Sequence, residues 1–134
     1  MISDVPVGVL LSGGVDSTGL LRYAVEQTDR QIQTFTVGFA GEEFADERPF
    51  ARMAAQLYGT MHQDVTISAK DFHDFLPKYV WHMEEPICEP HAVSLYFVSR
   101  IARESSVKVL LSGEGGDGLS EATTPTGIIS YWKL

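Results

Sequence analysis

Two short apolar segments, each running into a glycine-rich turn, constrain most strongly how this chain can fold. Residues 7–11 lead into Ser-Gly-Gly-Val-Asp-Ser at residues 12–17. Residues 107–111 lead into Ser-Gly-Glu-Gly-Gly-Asp at residues 112–117. Unbroken apolar runs of this length are typical of strands buried on both faces of a parallel sheet. Ligands bind beyond the carboxyl ends of such strands, so we expect both turns to face one crevice if the two strands are neighbours.

The segments between the two turns predict alternating strands and helices. Apolar side chains recur at helical spacing, which predicts helices, and Thr, Phe and Val cluster where strands are expected. Helices are predicted over residues 17–28, 46–58 and 94–103, further strands over 33–39 and 62–67, and a loop over 84–90. Residues 72–83 also have helical spacing, but Pro77 predicts a kink or two short helices. The order predicts an α/β fold, a parallel sheet with helices on both faces.

Composition limits the size, partners and location of the protein. A chain of 134 residues, 44% hydrophobic and 21% charged, is long enough for one domain with a core. Its net charge of −8 repels phosphate backbones, so we expect no nucleic-acid partner. The apolar run near the start is too short to span a membrane, and no membrane partner is expected. One cysteine, Cys88, allows no internal disulfide, which fits a cytoplasmic location.

The turn at residues 12–17 has the chemistry of an anion-binding loop. Gly13 and Gly14 let the backbone turn tightly and approach a ligand. The helix that follows begins with amides that lack internal partners, and Ser12 and Ser17 add hydroxyl donors. Asp16 would repel phosphate unless it holds Mg²⁺ that bridges to the phosphate oxygens. The alternative is a plain strand-to-helix turn in which Asp16 or Ser17 is the N-cap.

This turn resembles the pyrophosphate loop of the N-type ATP pyrophosphatases, the PP-loop superfamily. It differs from the Walker A loop, which requires a lysine. The preceding Asp-Val-Pro-Val-Gly-Val-Leu-Leu and the later Gly-Glu-Gly-Gly-Asp are similar to the glutamine-hydrolysing asparagine synthetase family. The resemblance implies an adenine nucleotide α-hydrolase-like, Rossmann-like fold. It also implies that the residues that bind the pyrophosphate of ATP are Ser12, Gly13, Gly14, Val15, Asp16 and Ser17.

The same resemblance implies roles for residues around the loop. Asp117 would join Asp16 in holding Mg²⁺, and Glu114 would orient substrate or transfer a proton, so these three form the implied catalytic set. The implied contacts of the adenine base are Leu11, Val37, Ser112 and Gly113. Two alternatives stay open, because Glu114 could be an exposed loop carboxylate and Val37 could be ordinary core.

The family reaction implies the substrates and a partner domain. A carboxylate, by default that of aspartate, attacks the α-phosphorus of ATP, and ammonia then displaces AMP from the acyl-adenylate. Family members make ammonia from glutamine in a glutaminase domain, and this chain begins Met-Ile-Ser instead of with the nucleophilic cysteine of that domain. We therefore expect a glutaminase domain in the full-length protein and no amide synthesis by this chain alone.

Three further segments have weaker resemblances. Gly-Thr-Met-His at residues 59–62 is similar to a family segment, and His62 is interpreted as structural. The acidic stretches that contain Glu84 and Glu89 resemble a loop near the family's substrate pocket, but each single residue is interpreted as part of a solvated loop. Cys88 could be a sulfur carrier, as in thiol-transferring relatives of the loop, but an isolated cysteine is interpreted as structural, and no zinc-ligand spacing surrounds it.

The resemblance ends after Asp117, which predicts a synthetase domain over residues 1–118 and a tail over 119–134. The family continues with an apolar pair and Gly-Gly-Tyr, whereas this chain does not. A reading-frame shift near Gly118 and a naturally divergent tail both explain the break. We expect a sheet that is incomplete at its C-terminal end, with exposed apolar surface, marginal stability and possible self-association.

Two competing functions stay open. The first is another PP-loop enzyme, such as an NAD or GMP synthetase or a tRNA-thiolating enzyme. The acidic charge weighs against a tRNA substrate, and the second turn weighs against all of these enzymes. The second is a remnant without catalytic activity that binds a nucleotide or only another protein.

Overall fold

Strands and helices alternate in the computed structural model, which describes residues 5–41, 46–84, 91–113 and 130–133. The elements in chain order are β1 (Val7–Leu10), α1 (Val15–Glu26), β2 (Gln33–Phe39), α2 (Arg48–Leu57), β3 (Met61–Ile67), α3 (Ala69–Met83), α4 (His91–Glu104), β4 (Val109–Ser112) and β5 (Ser130–Lys133). The predicted order of strands and helices is therefore confirmed over these residues.

One sheet holds all of these strands, in the order β3-β2-β1-β4-β5. The first four strands are parallel, and β5 pairs antiparallel with β4. Because β1 lies between β2 and β4, the chain leaves β1 toward one edge of the sheet and later returns to its other side. This is the switch point at which ligands bind in open α/β sheets. The strands that precede the two glycine-rich turns are neighbours, as the crevice requires.

The helices cover both faces of the sheet, as predicted. On one face, α1 and α2 bury a core of Val9, Leu11, Leu21, Ala24, Ile32, Ala51, Ala54, Ala55 and Leu111. On the other face, α3 and α4 bury two clusters: Phe35, Val98, Ala102, Val107 and Leu110, and Ile67, Phe75, Tyr79, Val93 and Phe97. Consecutive strand residues such as Leu110 and Leu111 point to opposite faces, which explains the unbroken apolar runs.

A single helix, α3, spans the segment around Pro77, so the alternative of two short helices is wrong. A reciprocal capping box starts it, in which the Ser68 hydroxyl accepts from the Asp71 amide at 3.1 Å and the Asp71 carboxylate accepts from the Ser68 amide at 3.0 Å. Phe75 and Tyr79 are buried on the inner face of the helix, whereas Pro77 is exposed. Capping and burial together offset the roughly 3 kcal/mol that an interior proline costs.

The strand β5 lies within the segment that was predicted to be a tail without a family role. Its backbone pairs with β4 in the register Leu110↔Trp132 and Leu111↔Tyr131. This pairing covers one edge of the parallel strands. Its sequence, Ser-Tyr-Trp-Lys, does not alternate between polar and apolar residues, so no period-two pattern predicted the strand.

Apolar side chains are also exposed, as expected. On α2 these are Phe50, Met53 and Leu57, which are 61%, 66% and 76% exposed. Self-association through this surface stays a prediction. Among the described residues, no helix is long and apolar enough to cross a membrane.

His62 lies within the packed region between β2, β3 and α2, in agreement with its structural interpretation. Its Nδ1 atom is 2.9 Å from the Thr34 hydroxyl, which is also 3.1 Å from the Thr60 hydroxyl. Its Nε2 atom is buried and has no hydrogen-bond partner among the residues described. Burial lowers the pKa of His62 below its ordinary 6.5, and Arg52 lowers it further, while Asp64 opposes the shift. The folded protein therefore holds the imidazole neutral at pH 7.

The stability of the protein should decrease as the pH falls below about 6.5. The unfolded chain takes up a proton at His62 there, whereas the folded chain resists it until its lower pKa is reached. Because the ring is only partly buried, the slope should be a fraction of the ~1.4 kcal/mol per pH unit of one proton. Urea unfolding between pH 7.5 and 5.0 measures it.

The control for this slope is His73→Gln, which removes an exposed histidine of α3 whose side chain is 86% accessible. His62→Gln should flatten the pH dependence over this interval more than His73→Gln does. An unchanged slope in His62→Gln would show that another group governs stability in acid.

Candidate functional site

The turn after β1 is closed by a pair of serine hydroxyls. The Oγ atoms of Ser12 and Ser17 lie 2.9 Å apart. The Ser12 amide donates to Ser17 Oγ at 3.3 Å, and Ser17 Oγ donates to the Gly14 carbonyl oxygen at 3.2 Å. The Gly14 amide donates to Ser12 Oγ, also at 3.3 Å. These bonds tie the start of the loop to the first turn of α1, so both serines fix the shape of the loop as well as offering polar groups to a ligand.

No side chain caps the start of α1. Gly14 is the N-cap residue, with an extended backbone at ψ 167°, and it makes no side-chain hydrogen bond to the helix. The alternative in which Asp16 or Ser17 is the N-cap is therefore wrong. The amides of the first turn have no partner inside the helix, and the helix dipole adds partial positive charge at this end. The structure thus has the elements of an anion-binding site.

Gly13 holds the loop against α2. Its φ of +83° is in the left-handed region that favours glycine. A Cβ atom at this position would lie 2.6 Å from the Cβ of Phe50 and 2.7 Å from the amide nitrogen of Ala51. Phe50 and Ala51 belong to the first turn of α2, so this helix backs the loop directly. The glycine is required by conformation and by space.

The second turn touches the first at the start of α1. A Cβ atom on Gly113 would lie 3.0 Å from the amide nitrogen of Ser17 and 3.2 Å from the carbonyl carbon of Asp16. Ser112, the last residue of β4, is buried. The expectation that both turns face one crevice is confirmed as far as Gly113. Glu114 and Asp117 lie outside the described residues.

A cleft of about 480 Å³ opens where the two turns meet. Its size is within the usual range for small-molecule sites. It is lined by Leu10, Ser12, Gly14, Val15, Asp16, Ser17, Ser112 and Gly113. Asp16 and Val15 are exposed, Val15 to 90%, and Ser17 forms part of the buried floor. Seven of the ten residues that the sequence indicated for cofactor binding therefore line this one cleft.

Three indicated residues lie elsewhere. Leu11 is 1% exposed in the core beneath α1 and α2, and its amide and carbonyl groups bond to Phe35 and Thr36 of β2. Val37 packs against the buried cluster under α3 and α4, which agrees with its interpretation as core. Gly13 supports the loop from behind. Conversely, the sequence missed Leu10, because an unbroken apolar run does not show which neighbour faces the cleft.

The donor set around the cleft suits a metal ion shared with a ligand. Within the described ranges no group of three or more histidine, cysteine or acidic side chains could hold a metal by itself. Asp16 contributes one exposed carboxylate at the cleft. Magnesium is commonly bound by one or two carboxylates together with substrate phosphates and water. The residues present therefore fit that mode of binding and do not form an all-protein cage.

The fold and the cleft define an α/β domain with an anion-binding loop at the switch point of its sheet. The family model described as asparagine synthase matches residues 1–122. The chain therefore belongs to the asparagine synthase family.

Several curated proteins have similar sequences, and two of them represent the match. One is a putative asparagine synthetase [glutamine-hydrolyzing] of Mycobacterium tuberculosis, 45% identical over 119 residues. The other is asparagine synthetase [glutamine-hydrolyzing] 1 of Bacillus subtilis, 42% identical over 119 residues. Each match covers 89% of this chain but 18% of the relative. The chain thus spans less than a fifth of the length of these relatives.

A solved structure supports the fold. It is that of a predicted subunit of tRNA methyltransferase from Methanocaldococcus jannaschii, with a TM-score of 0.53 and 19% sequence identity. The match covers 92% of this chain and 58% of the other. At this identity the likeness shows a shared architecture alone, and it agrees with the predicted α/β class.

Replacing Gly13 by alanine should destabilise the protein by at least about 2 kcal/mol. The new side chain would be strained at positive φ and would collide with α2. Gly19→Ala is the control, since a Cβ there meets nothing within 4 Å and the residue lies within α1. That variant should gain about 0.5–1 kcal/mol. Urea unfolding of both variants measures the difference, and equal stabilities would contradict the packing of the loop on α2.

Proposed function

We propose that this chain is the ATP-binding module of an amide-forming ligase of asparagine-synthetase type. The module would bind Mg-ATP in the cleft and support attack of a carboxylate on the α-phosphorus. The observation that carries the proposal is the uncapped start of α1, which meets Gly113 in an open cleft at the switch point of the sheet. Membership of the asparagine synthase family supports ATP as the ligand.

The loop would bind the β- and γ-phosphates. The amides of the first turn of α1 supply donors without internal partners, and the dipole of the helix favours the negative charge. Ser12 and Ser17 keep the loop in one conformation before a ligand arrives. A rigid set of donors stabilises the charge that develops on departing pyrophosphate without reorganising during the reaction.

The acidic residues would have separate roles. Asp16 borders the cleft and would bind Mg²⁺ that bridges to the phosphates, with Asp117 as the second carboxylate. When bound, the metal neutralises phosphate charge. Glu114 would act near the substrate carboxylate, in orientation or in proton transfer.

The adenine base would lie against the ends of β1 and β4. Ser112 and Gly113 line that side of the cleft. We assign the apolar contact to Leu10, because this residue lines the cleft and is partly exposed, whereas Leu11 is buried in the core. Val37 would contribute indirectly, by packing β2 against the core under α3 and α4.

Aspartate is the proposed acid substrate, and ammonia is the proposed nucleophile. The names of the curated relatives include hydrolysis of glutamine, which supports a glutaminase domain as the source of ammonia. Because the chain spans 18% of those relatives, we expect it to bind Mg-ATP but not to make amide by itself.

Asp16→Asn should weaken binding of Mg-ATP at least about tenfold, because loss of the carboxylate removes its bond to the metal. Isothermal titration calorimetry with and without Mg²⁺ measures the effect. The control is Asp29→Asn, which removes an exposed carboxylate just beyond the far end of α1. Equal affinities for both variants, or binding that is indifferent to Mg²⁺, would contradict the metal role of Asp16.

The phosphates should contribute more to affinity than the nucleoside does. With Mg²⁺ present, inorganic pyrophosphate should compete with ATP, and AMP should bind at least about tenfold more weakly than ATP, because the loop binds anions. Competition titrations measure both affinities. If AMP binds as tightly as ATP, the proposal that residues 12–17 bind the β- and γ-phosphates is contradicted.

A further inference from the structure

An arginine lies over the sheet behind the phosphate-binding loop. Arg48 is the first residue of α2. Its Nε atom is 2.7 Å from Asp46 Oδ1, its Nη2 atom is 2.8 Å from Asp46 Oδ2, and its Nη1 atom donates to the Thr66 hydroxyl of β3. The Arg48 amide also donates to Asp46 Oδ1, at 3.0 Å. The two side chains are only 17% and 21% exposed, so this is a well-held, two-pronged ion pair.

Gly38 of β2 provides the space for this guanidinium. A Cβ atom on Gly38 would lie 2.5 Å from Arg48 Nε and 2.7 Å from Arg48 Cδ. Gly38 pairs with Thr66 across the β2–β3 ladder. The side chain of Arg48 therefore joins α2, β2 and β3 at one point, and any side chain at position 38 would displace it.

The ion pair is present over a wide pH range. The Arg48 guanidinium holds the pKa of the Asp46 carboxyl below its ordinary value. The carboxylate in turn raises the pKa of Arg48. Neither group titrates near neutral pH, so the contact is a fixed structural link rather than a switch.

This link lies within one helical turn of the surface that supports the loop. Phe50 and Ala51, against which Gly13 packs, follow Arg48 by two and three residues. The Ala51 amide donates to the Glu47 carbonyl oxygen at 3.0 Å, so Arg48 and Ala51 belong to the same hydrogen-bonded turn. The contacts of Arg48 with the sheet thus determine the position of Phe50 and Ala51, against which Gly13 packs.

We propose that Arg48 is a positioning residue for the phosphate-binding loop and acts through the first turn of α2. The inference rests on the proposed function, because positioning matters only if residues 12–17 bind phosphate. Hydrogen bonds of Ser12 and Ser17 hold the loop from within, and the contact of Gly13 with the first turn of α2 adds support from outside it. Donors that are misplaced by even a fraction of an ångström lose much of their effect on a bound anion.

The test compares two arginines of the same helix. Arg52 forms an ion pair with Asp64, so it also ties α2 to β3, but its side chain is 53% exposed. Arg48→Met should weaken Mg-ATP binding at least about tenfold, and Arg52→Met should change it by less than about twofold. Urea unfolding of each variant shows what fraction remains folded during the titration.

A second variant removes the same link from the other side. Gly38→Ala should expel the guanidinium and weaken Mg-ATP binding to a similar degree as Arg48→Met. The double variant Arg48→Met/Gly38→Ala should bind no more than about twofold more weakly than either single variant, because both substitutions remove the same interaction and their effects do not add. If Arg48→Met does not fold, Thr66→Val removes one contact of the guanidinium, and the cycle is run with Gly38→Ala and Thr66→Val.

A local signal separates positioning from a general loss of stability. The amide resonances of Gly13 and Gly14 in ¹⁵N-correlated spectra of the free protein should move in Arg48→Met and stay in place in Arg52→Met. Equal affinities and unshifted glycine resonances in Arg48→Met would overturn the positioning role. If the wild-type chain does not bind Mg-ATP while the resonances do shift, the proposed function fails and the mechanical link stands.

Discussion

The close approach of Gly113 to the first residues of α1 is the contact on which the site depends. Only hydrogen occupies the Gly113 position where a Cβ would lie 3.0 Å from the Ser17 amide nitrogen. Parallel pairing of β1 with β4, with Val9 opposite Leu111, delivers the two turns to this point. Since β1 lies between β2 and β4, the connection that follows β1 runs to one side and the turn after β4 lies on the other, and the cleft opens between them.

Support for the loop comes from the elements around it. The hydroxyls of Ser12 and Ser17 join the end of β1 to the start of α1. Gly13 lies against α2, and α2 is fixed to β2 and β3 through Arg48. The loop is thus enclosed by parts of the parallel sheet and two helices. Such a scaffold can present backbone amides to an anion without paying to order them first.

Local patterns predicted most of the fold. Unbroken apolar runs and glycine-rich turns indicated β1 and β4, and helical spacing indicated the helices on both faces. The meeting of the two turns followed from the general geometry of parallel sheets. The helical spacing around Pro77 was interpreted correctly, but the alternative of two short helices was wrong, because burial of Phe75 and Tyr79 keeps α3 continuous.

What the sequence did not predict depends on contacts between distant residues. Leu10 and Leu11 are both apolar, and only the structure shows which one faces the cleft. The contact of Arg48 with Thr66 joins residues 18 positions apart, and its fit over Gly38 depends on strand register. Neither feature has a local signature. The sequence also did not show which residue is the N-cap of α1, because serine, aspartate and glycine are all favoured at that position.

The central claim is that the uncapped start of α1, with Gly113 beside it, binds the phosphates of Mg-ATP. Titrating ¹⁵N-labelled protein with Mg-ATP and following each backbone amide tests this directly. The account predicts that the largest chemical-shift changes occur at Gly14, Val15, Asp16, Ser17 and Gly113. It also predicts little change at the opposite end of the sheet, around Gln33 and Met61. Saturable binding with its largest shifts at that opposite end, or no shifts at all, would contradict it.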